Sequence, residues 1–452
     1  MCIRDSKRTE QFLNDPIFPL LIKMSAPNTV AFLINAVVVL AEFWFISQLG
    51  IIPLAALTLA FPAIMLTQQM AFGSLGGAVT SSIARSLGAR DKLRAERLLW
   101  HSLYISCLGA FSFLIIFFAF GRLLLITLGG TEELLEQSLA YCFVYLSGGI
   151  VVWLSGSLTA SLRGMGDMQF PAILTVICAG IQVFFSAGFI LGYFGLPKLG
   201  LVGSAWSMIV TSSFMAITIL IKISSSSSAV KLKLKSMTFE KELFEDIFNV
   251  ALPASLSPIM TVATVLLLTG LIGQFGTSAL AGYGIGSRVE FLLIPIVFGI
   301  GTAMTAMVGT NIGAKNIVRA EKIGMIGATT AGLLSAVIGI TLALTPDLWI
   351  SIFTSDAATL LVTKQYIQIL GICYIFQGYG LSLYFASQGA NAMKWPIIIT
   401  AIRLLIFSAG ALISIYWLSY GLESIFYASA LAMVVFGVLM VISLKMGAWR
   451  NI

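Results

Sequence analysis

Charge is scarce in this chain: 26 Lys and Arg and 19 Asp and Glu make up 10% of 452 residues, where soluble domains carry about 25%. Too few polar groups are present to cover a water-facing surface, so a soluble fold is excluded. Histidine occurs once, at His101, which rules out a multi-histidine metal centre and H-E-x-x-H hydrolysis. The five cysteines, Cys2, Cys107, Cys142, Cys178 and Cys373, form no C-x-x-C pair. The four internal ones lie in apolar stretches and read as packing residues. No G-x-x-x-x-G-K-[ST] segment is present, which argues against ATP-driven transport. Neither an enzyme, a metal site nor a cofactor is expected.

What is plentiful is apolar surface, at 58% of residues and a mean hydropathy of +0.99. A spanning helix takes roughly 20 apolar residues, so the length accommodates about a dozen. Runs bounded by Gly, Pro or charge predict twelve: 19-49, 54-84, 98-121, 134-162, 168-194, 199-223, 244-274, 278-312, 320-345, 357-386, 395-418 and 420-446. Residues 1-6, Met1 to Ser6 (MCIRDS), read as a translated transposon end of the kind used to prepare sequencing libraries. They are set aside as a scar.

The positions of the basic residues set the orientation. Arg85, Arg90, Lys92, Arg94 and Arg97 follow the second stretch, and Lys222, Lys231, Lys233, Lys235 and Lys241 lie between the sixth and seventh. Lys315, Arg319 and Lys322 follow the eighth, and Lys445 and Arg450 close the chain. Opposite connections hold Arg122, Lys198 and Lys364 beside Glu132, Glu133, Glu136, Asp347, Asp356 and Glu423. The positive-inside rule then predicts both termini in the cytoplasm. The net charge of +7 needs no nucleic-acid partner. Five serines, Ser224 to Ser228, followed by the KLKLK of Lys231 to Lys235, read as a cytoplasmic linker (224-243) whose lysines suit anionic headgroups. The linker separates an N-terminal lobe (7-223) from a C-terminal lobe (244-452).

The lobes repeat. An offset of 226 links Pro27 with Pro253, Gln48 with Gln274, Gly50 with Gly276, Ala55 with Ala281, Phe72 with Phe298 and Gly73 with Gly299. Further along the offset is 225: Arg94, Ala95, Glu96 recur as Arg319, Ala320, Glu321, and Gly164 and Pro171 as Gly389 and Pro396. Six spans per copy return the chain to its starting side, giving parallel repeats about an axis along the membrane normal. The expected fold is all-α, with twelve transmembrane helices in two pseudo-symmetric six-helix bundles around a central cleft.

Four segments carry a resemblance: E-F-W-F-I-S-Q-L-G (Glu42 to Gly50) followed by Leu54 to Ala56, S-L-G-A-R-D-K-L-R-A (Ser86 to Ala95), L-R-G-M-G-D-M-Q-F-P (Leu162 to Pro171) and G-T-N-I-G-A-K-N-I-V-R-A (Gly309 to Ala320). In order and spacing the chain resembles the multidrug and toxic compound extrusion (MATE) transporters over about residues 17 to 447. The resemblance implies a bacterial inner-membrane exporter, a monomer, whose lobes alternately open inward and outward as protons or sodium ions enter. Its partners would be the lipid bilayer and small amphipathic, cationic organic substrates. A lipid or polysaccharide flippase of the same superfamily is the rival, although such proteins usually have more spans and basic cavities. A non-transporting structural subunit would explain the hydrophobicity but not the repeat with its prolines.

Ionisable groups within spans are costly and are functional candidates by default. Glu42, Arg288, Glu290 and Arg403 stand out, and the first three fall opposite Leu268, Pro62 and Ile64 in the repeat. A carboxyl at Glu42, flanked by Phe43, Trp44 and Phe45, suits uptake of a proton on one side and release on the other. Its bland alternative is a carboxylate at the outer interface. The resemblance places Glu42 where many relatives have an Asp used in ion coupling or substrate response. It also places Gln182 and Ser186, aligned through Phe189 and Ile190, where relatives often have Asn and Asp. Four-residue spacing sets both on one helix face. Glu290, two residues from Arg288 and unsuited to pair with it, is expected near mid-membrane as a second coupling site, with Arg288 or Arg403 as a neutralising partner. Structural charge compensation would explain it equally well. Pro27 and Pro253 are candidate hinges or simple kinks, and Gly73 and Gly77 read as close packing. Asn35, Gln68 and Gln69 are assigned to the cleft or to interhelical bonds. Trp44, Tyr141, Tyr145 and Trp153 are candidate cation-π surfaces, with core packing the plainer reading.

Overall fold

The structure, a computed structural model, describes residues 3–225, 230–351, 353 and 356–450, with side chains from residue 8 onward except at position 291. Met1, Cys2 and Ser226 to Ser228 of the serine run lie outside the described residues. Helix Ile3–Asn14 begins inside the segment set aside as a scar and leads into the first span.

Ten helices are long and apolar enough to cross a membrane, and two bent pairs bring the spans to 12. In the first lobe these are α1 (Ile17–Ser47), α2 (Ile51–Gly88), α3 (Lys92–Thr127), α4 (Glu132–Ser147 and Gly149–Gly164), α5 (Gln169–Leu191) and α6 (Leu201–Ser224). The second lobe holds α7 (Lys241–Gly273), α8 (Thr277–Gly313), α9 (Ile317–Leu344), α10 (Ala357–Gly371 and Tyr374–Gly389), α11 (Lys394–Tyr416) and α12 (Glu423–Lys445). The fold class is therefore the one predicted.

The repeat extends to irregular backbone. The bends in α4 and α10, 49° and 57°, fall at matching places in the two copies. Gly50 and Gly276 both take positive φ, 115° and 99°, where each first helix turns into its second; a side chain there would strain the turn. Asp91 and Asn316 both cap the following helix through the backbone amide three residues on. Two features depart from the expected uninterrupted helices. Span α2 carries a π-helical stretch at Gln69–Leu75, and α8 breaks after Ser287 and restarts at Glu290.

Packing divides the molecule end from end. One buried core runs across both lobes and includes Phe12, Met24, Leu98, Met165, Ile247, Met304 and Trp449. It occupies the half near the termini and linker, called here the basic end. Toward the far end the core splits: one cluster (Phe45, Leu57, Tyr145, Ile190) is confined to the first lobe and another (Leu268, Val289, Tyr366, Phe426) to the second. Glycine makes the closure possible. A Cβ on Gly88 would collide with the carbonyl of Thr310, and its repeat mate Gly313 would collide with that of Arg85. Ser81 Oγ also donates to the carbonyls of Gln388 (2.6 Å) and Gly389 (3.0 Å) across the seam. Above these contacts Phe298 bridges Phe32 and Phe385 edge to face, at 6.2 and 5.0 Å between ring centres.

The linker reads from sequence as a cytoplasmic segment whose lysines suit anionic headgroups, and one of those lysines has a partner within the protein. Its described part folds back onto α3, where Lys233 Nζ pairs with the buried carboxylate of Glu96 at 3.0 Å and Ser236 donates to the same group. A buried carboxylate needs such partners, and the linker supplies them.

Candidate functional site

In the first lobe, Glu42 projects from α1 toward α5 and α6. Its Oε1 accepts from Gln182 Nε2 (2.6 Å), Ser186 Oγ (2.8 Å) and Ser204 Oγ (3.4 Å). Behind them Ser207 Oγ receives a bond from Gln182 and lies 2.8 Å from Ser186 Oγ. The one-face spacing of Gln182 and Ser186 thus brings both onto a single carboxyl oxygen. No ion pair reaches Glu42 among the described residues. A carboxyl held by amide and hydroxyl donors, within a span and away from any cation, can exchange a proton or a small cation without breaking a salt bridge.

Of the aromatics that flank Glu42 in sequence, Trp44 is 59% exposed, whereas Phe45 is buried in the first-lobe cluster that also holds Tyr141 and Tyr145, with Phe43 packed against it. The tyrosines within electrostatic reach, Tyr141 and Tyr145, come from α4. Tyr145 is buried, and its hydroxyl accepts from Gln68 Nε2 at 2.9 Å. Tyr141 and Trp153 are buried too, so these three rings are core residues and not open platforms for a substrate. Asn35 is exposed on α1 and Gln69 is partly buried at the start of the π-helical stretch. Gly77 packs directly on Gln388 of the other lobe, as the close-packing reading expected.

Ser204 and Ser207 escaped sequence reasoning. They lie three apart on α6 and so share a face, which is the signal that was available. Small hydroxyls in an apolar helix usually bond their own backbone, and Ser207 does that as well.

In the second lobe, Glu290 is found in the first turn of the restarted half of α8, a position created by the break and not by an uninterrupted helix. Tyr366 Oη donates to Glu290 Oε1 at 3.2 Å, and Arg403 lies within electrostatic reach while stacking over Phe436 at 5.0 Å. A cavity of about 10 Å³, room for at most one water, adjoins Glu290, Ser335, Tyr374 and Gln377. Arg288 does not join this group. It is exposed and sits over Phe353 at 5.9 Å, which removes it as the partner of Glu290. Pro27 and Pro253 both lie inside helices that continue through them.

Two six-helix bundles that share one core at one end, with Glu42 and Glu290 hydrogen-bonded inside apolar stretches of their spans, make this a multi-pass membrane protein. The MatE family model matches residues 27–187 and 253–412, so that both matched blocks begin on the repeated prolines. This chain belongs to the MATE family of transporters, and it is not an enzyme. It is 28% identical over 334 residues to "Probable multidrug resistance protein NorM" of Thermotoga maritima, covering 73% of this chain and 71% of that protein. It is 27% identical over 405 residues to "Multidrug export protein MepA" of Staphylococcus saprophyticus, with 86% of each covered. It is 25% identical over 400 residues to "FAD transporter" of Shewanella oneidensis, covering 87% and 86%. A solved outward-facing multidrug resistance MATE transporter superposes with a TM-score of 0.89 at 22% identity, covering 98% of both chains. That likeness is one of fold.

Proposed function

We propose that this transporter exports amphipathic, cationic organic compounds across a bacterial inner membrane in exchange for protons or sodium ions. Its termini would lie in the cytoplasm, where the positive-inside rule puts the basic end. The observation that carries the reading is the Glu42 carboxyl, bonded to Gln182, Ser186 and Ser204 and with no ion pair among the described residues. Such a group can bind the coupling ion or respond to a bound cationic substrate, and competition between them is a physical basis for exchange. Glu290, beside Tyr366 and Arg403, serves as a second coupling site in the other lobe. The lobes rock about the shared core, with Pro27 and Pro253 as bending points of their first helices. The protein works as a monomer with no cofactor beyond the coupling ion and no nucleic-acid partner.

Support for organic substrates comes from the relatives named for multidrug resistance and export. The relative named for FAD transport favours a second reading, export of a flat anionic nucleotide. Proteoliposomes test both. A cationic dye should be exported under an imposed proton or sodium gradient, and Glu42→Gln should abolish that export. Full gradient-driven export by the variant would end the assignment, and uptake of FAD in place of the dye would favour the second reading.

A further inference from the structure

The two lobes carry the same grip at the basic end, each on the other. Arg94 of α3 donates from NH1 to Glu242 Oε1 at 2.7 Å and from NH2 to Asp246 Oδ2 at 3.3 Å, both at the start of α7. Arg319, its repeat mate on α9, donates from Nε to the carbonyl of Phe12 at 3.2 Å and from NH2 to the carbonyl of Asp15, just before α1. Glu242 lies 11 residues ahead of Pro253, and Asp15 lies 12 ahead of Pro27. Third helix of one lobe therefore holds the lead-in to the first helix of the other, twice, about the pseudo-twofold axis.

Both arginines are set by duplicated turns. Arg90 and Lys315 take φ of 61° and 60°, and the side chains of Asp91 and Asn316 then cap the amides of Arg94 and Arg319. Each grip has support on both sides. Arg85 of α2 also bonds Asp246, and Arg97 bonds Glu240 at 2.9 Å. Asn311 Nδ2 of α8 donates to the carbonyl of Phe12 at 3.0 Å. The lead-in helix is moored to its own lobe by Arg8 with Asp167 at 3.1 Å and by the buried Phe12 ring against Gly166.

We infer that Arg94 and Arg319 form a pair of pseudo-symmetric clasps that hold the basic end closed, and that both must release before the lobes part there. Each guanidinium and its acceptors belong to opposite lobes, so separation at this end breaks both sets of bonds while leaving each lobe intact. The clasps bias the equilibrium toward the state open at the far end. The inference rests on the proposed alternation of the lobes, and the experiment below separates the two.

Spin labels on Leu93→Cys and Val318→Cys, repeat mates that are 52% and 65% exposed, report the separation of the lobes in nanodiscs when the native cysteines are replaced by serine. Double electron-electron resonance on the otherwise unchanged chain should give a dominant short distance. Exposed charge pairs are individually weak, so R94Q or R319Q alone should raise the long-distance fraction about two- to threefold, and both together about fivefold or more. E242Q, on a carboxylate that is 77% exposed, should move the distance in the same direction as R94Q without disturbing a buried residue. Superimposable distributions for the parent and the R94Q/R319Q chain would overturn the clasps even if the parent exports dye. A long-distance population in the double variant beside a parent that exports nothing would uphold the clasps and sink the exporter reading.

Discussion

The two lobes share a backbone plan down to their bends, yet the partly buried carboxyls within their spans are supported in opposite ways. Glu42 is satisfied by neutral donors from α5 and α6. Glu290 takes one bond from Tyr366 and faces Arg403. Leu268 stands at the position matching Glu42 and Ile64 at that matching Glu290, so neither site is a copy of the other. Duplication accounts for the matching bends; the unpaired substitutions laid on it set the two carboxyls apart. A carboxyl with neutral donors alone can change charge state without leaving a partner unbalanced, whereas neutralising Glu290 leaves the partly buried Arg403 without its nearby negative charge.

That contrast yields graded expectations. The largest effect is Glu42→Gln, which should lower gradient-driven dye export in proteoliposomes by about tenfold or more while leaving thermal stability near that of the parent. Next, Glu290→Gln should destabilise the protein by leaving Arg403 unbalanced, and Arg403→Gln in that background should restore part of the loss. A double-mutant cycle read from thermal melts should give a coupling of about 1–3 kcal/mol. No comparable rescue partner exists for Glu42 among the described residues, and finding one would erase the contrast. Ser186→Ala removes one donor of three and should slow export severalfold without abolishing it, in line with the roughly 0.5–1.5 kcal/mol net of one hydrogen bond.

The smallest effect belongs to the ends of the bent spans. Asp356 caps α10 by accepting from the amide and hydroxyl of Thr359 at 2.9 and 2.6 Å, whereas Thr131 at the matching start of α4 makes no such side-chain bond. Those two bonds hold the Asp356 carboxyl below the usual carboxylate range. Its contribution to stability is therefore present above the ordinary carboxylate pKa and is lost as pH falls through the lowered value. Asp356→Ala should melt slightly below the parent at neutral pH, and the gap should close in acid; a gap that widened in acid would contradict the cap.

Much of the scaffold was legible because it rests on composition and repetition. Low charge, twelve apolar runs and the offset between Pro27 and Pro253 are enough to specify two bundles. Glu42 was legible for the same reason, as a carboxyl within an apolar run, and Gln182 with Ser186 followed from helical spacing. What escaped depends on tertiary packing. The break before Glu290 shows no Gly or Pro at positions 288 and 289 to mark it, and in the π-helical stretch of α2 Gly73 is read from sequence as close packing and not as a change of helix type. The aromatic surroundings assigned to Glu42 came from neighbours in sequence, but residues one or two apart on a helix, as Phe43 and Trp44 are, point to different sides; the tyrosines come from α4. Tyr145 and Trp153 looked available because aromatic rings suit either a cleft or a core, and burial decides between them. The docking of the linker on Glu96 was hidden because its lysines could equally have faced lipid.

The central claim is that one carboxyl, Glu42, answers both to the coupling ion and to the substrate. Equilibrium binding of a fluorescent cationic dye to the purified protein tests it most directly, titrated across pH and across sodium concentration. Protons or sodium should displace dye from the parent, and Glu42→Gln should still fold but show no such displacement. Displacement of equal size in the variant would contradict the claim.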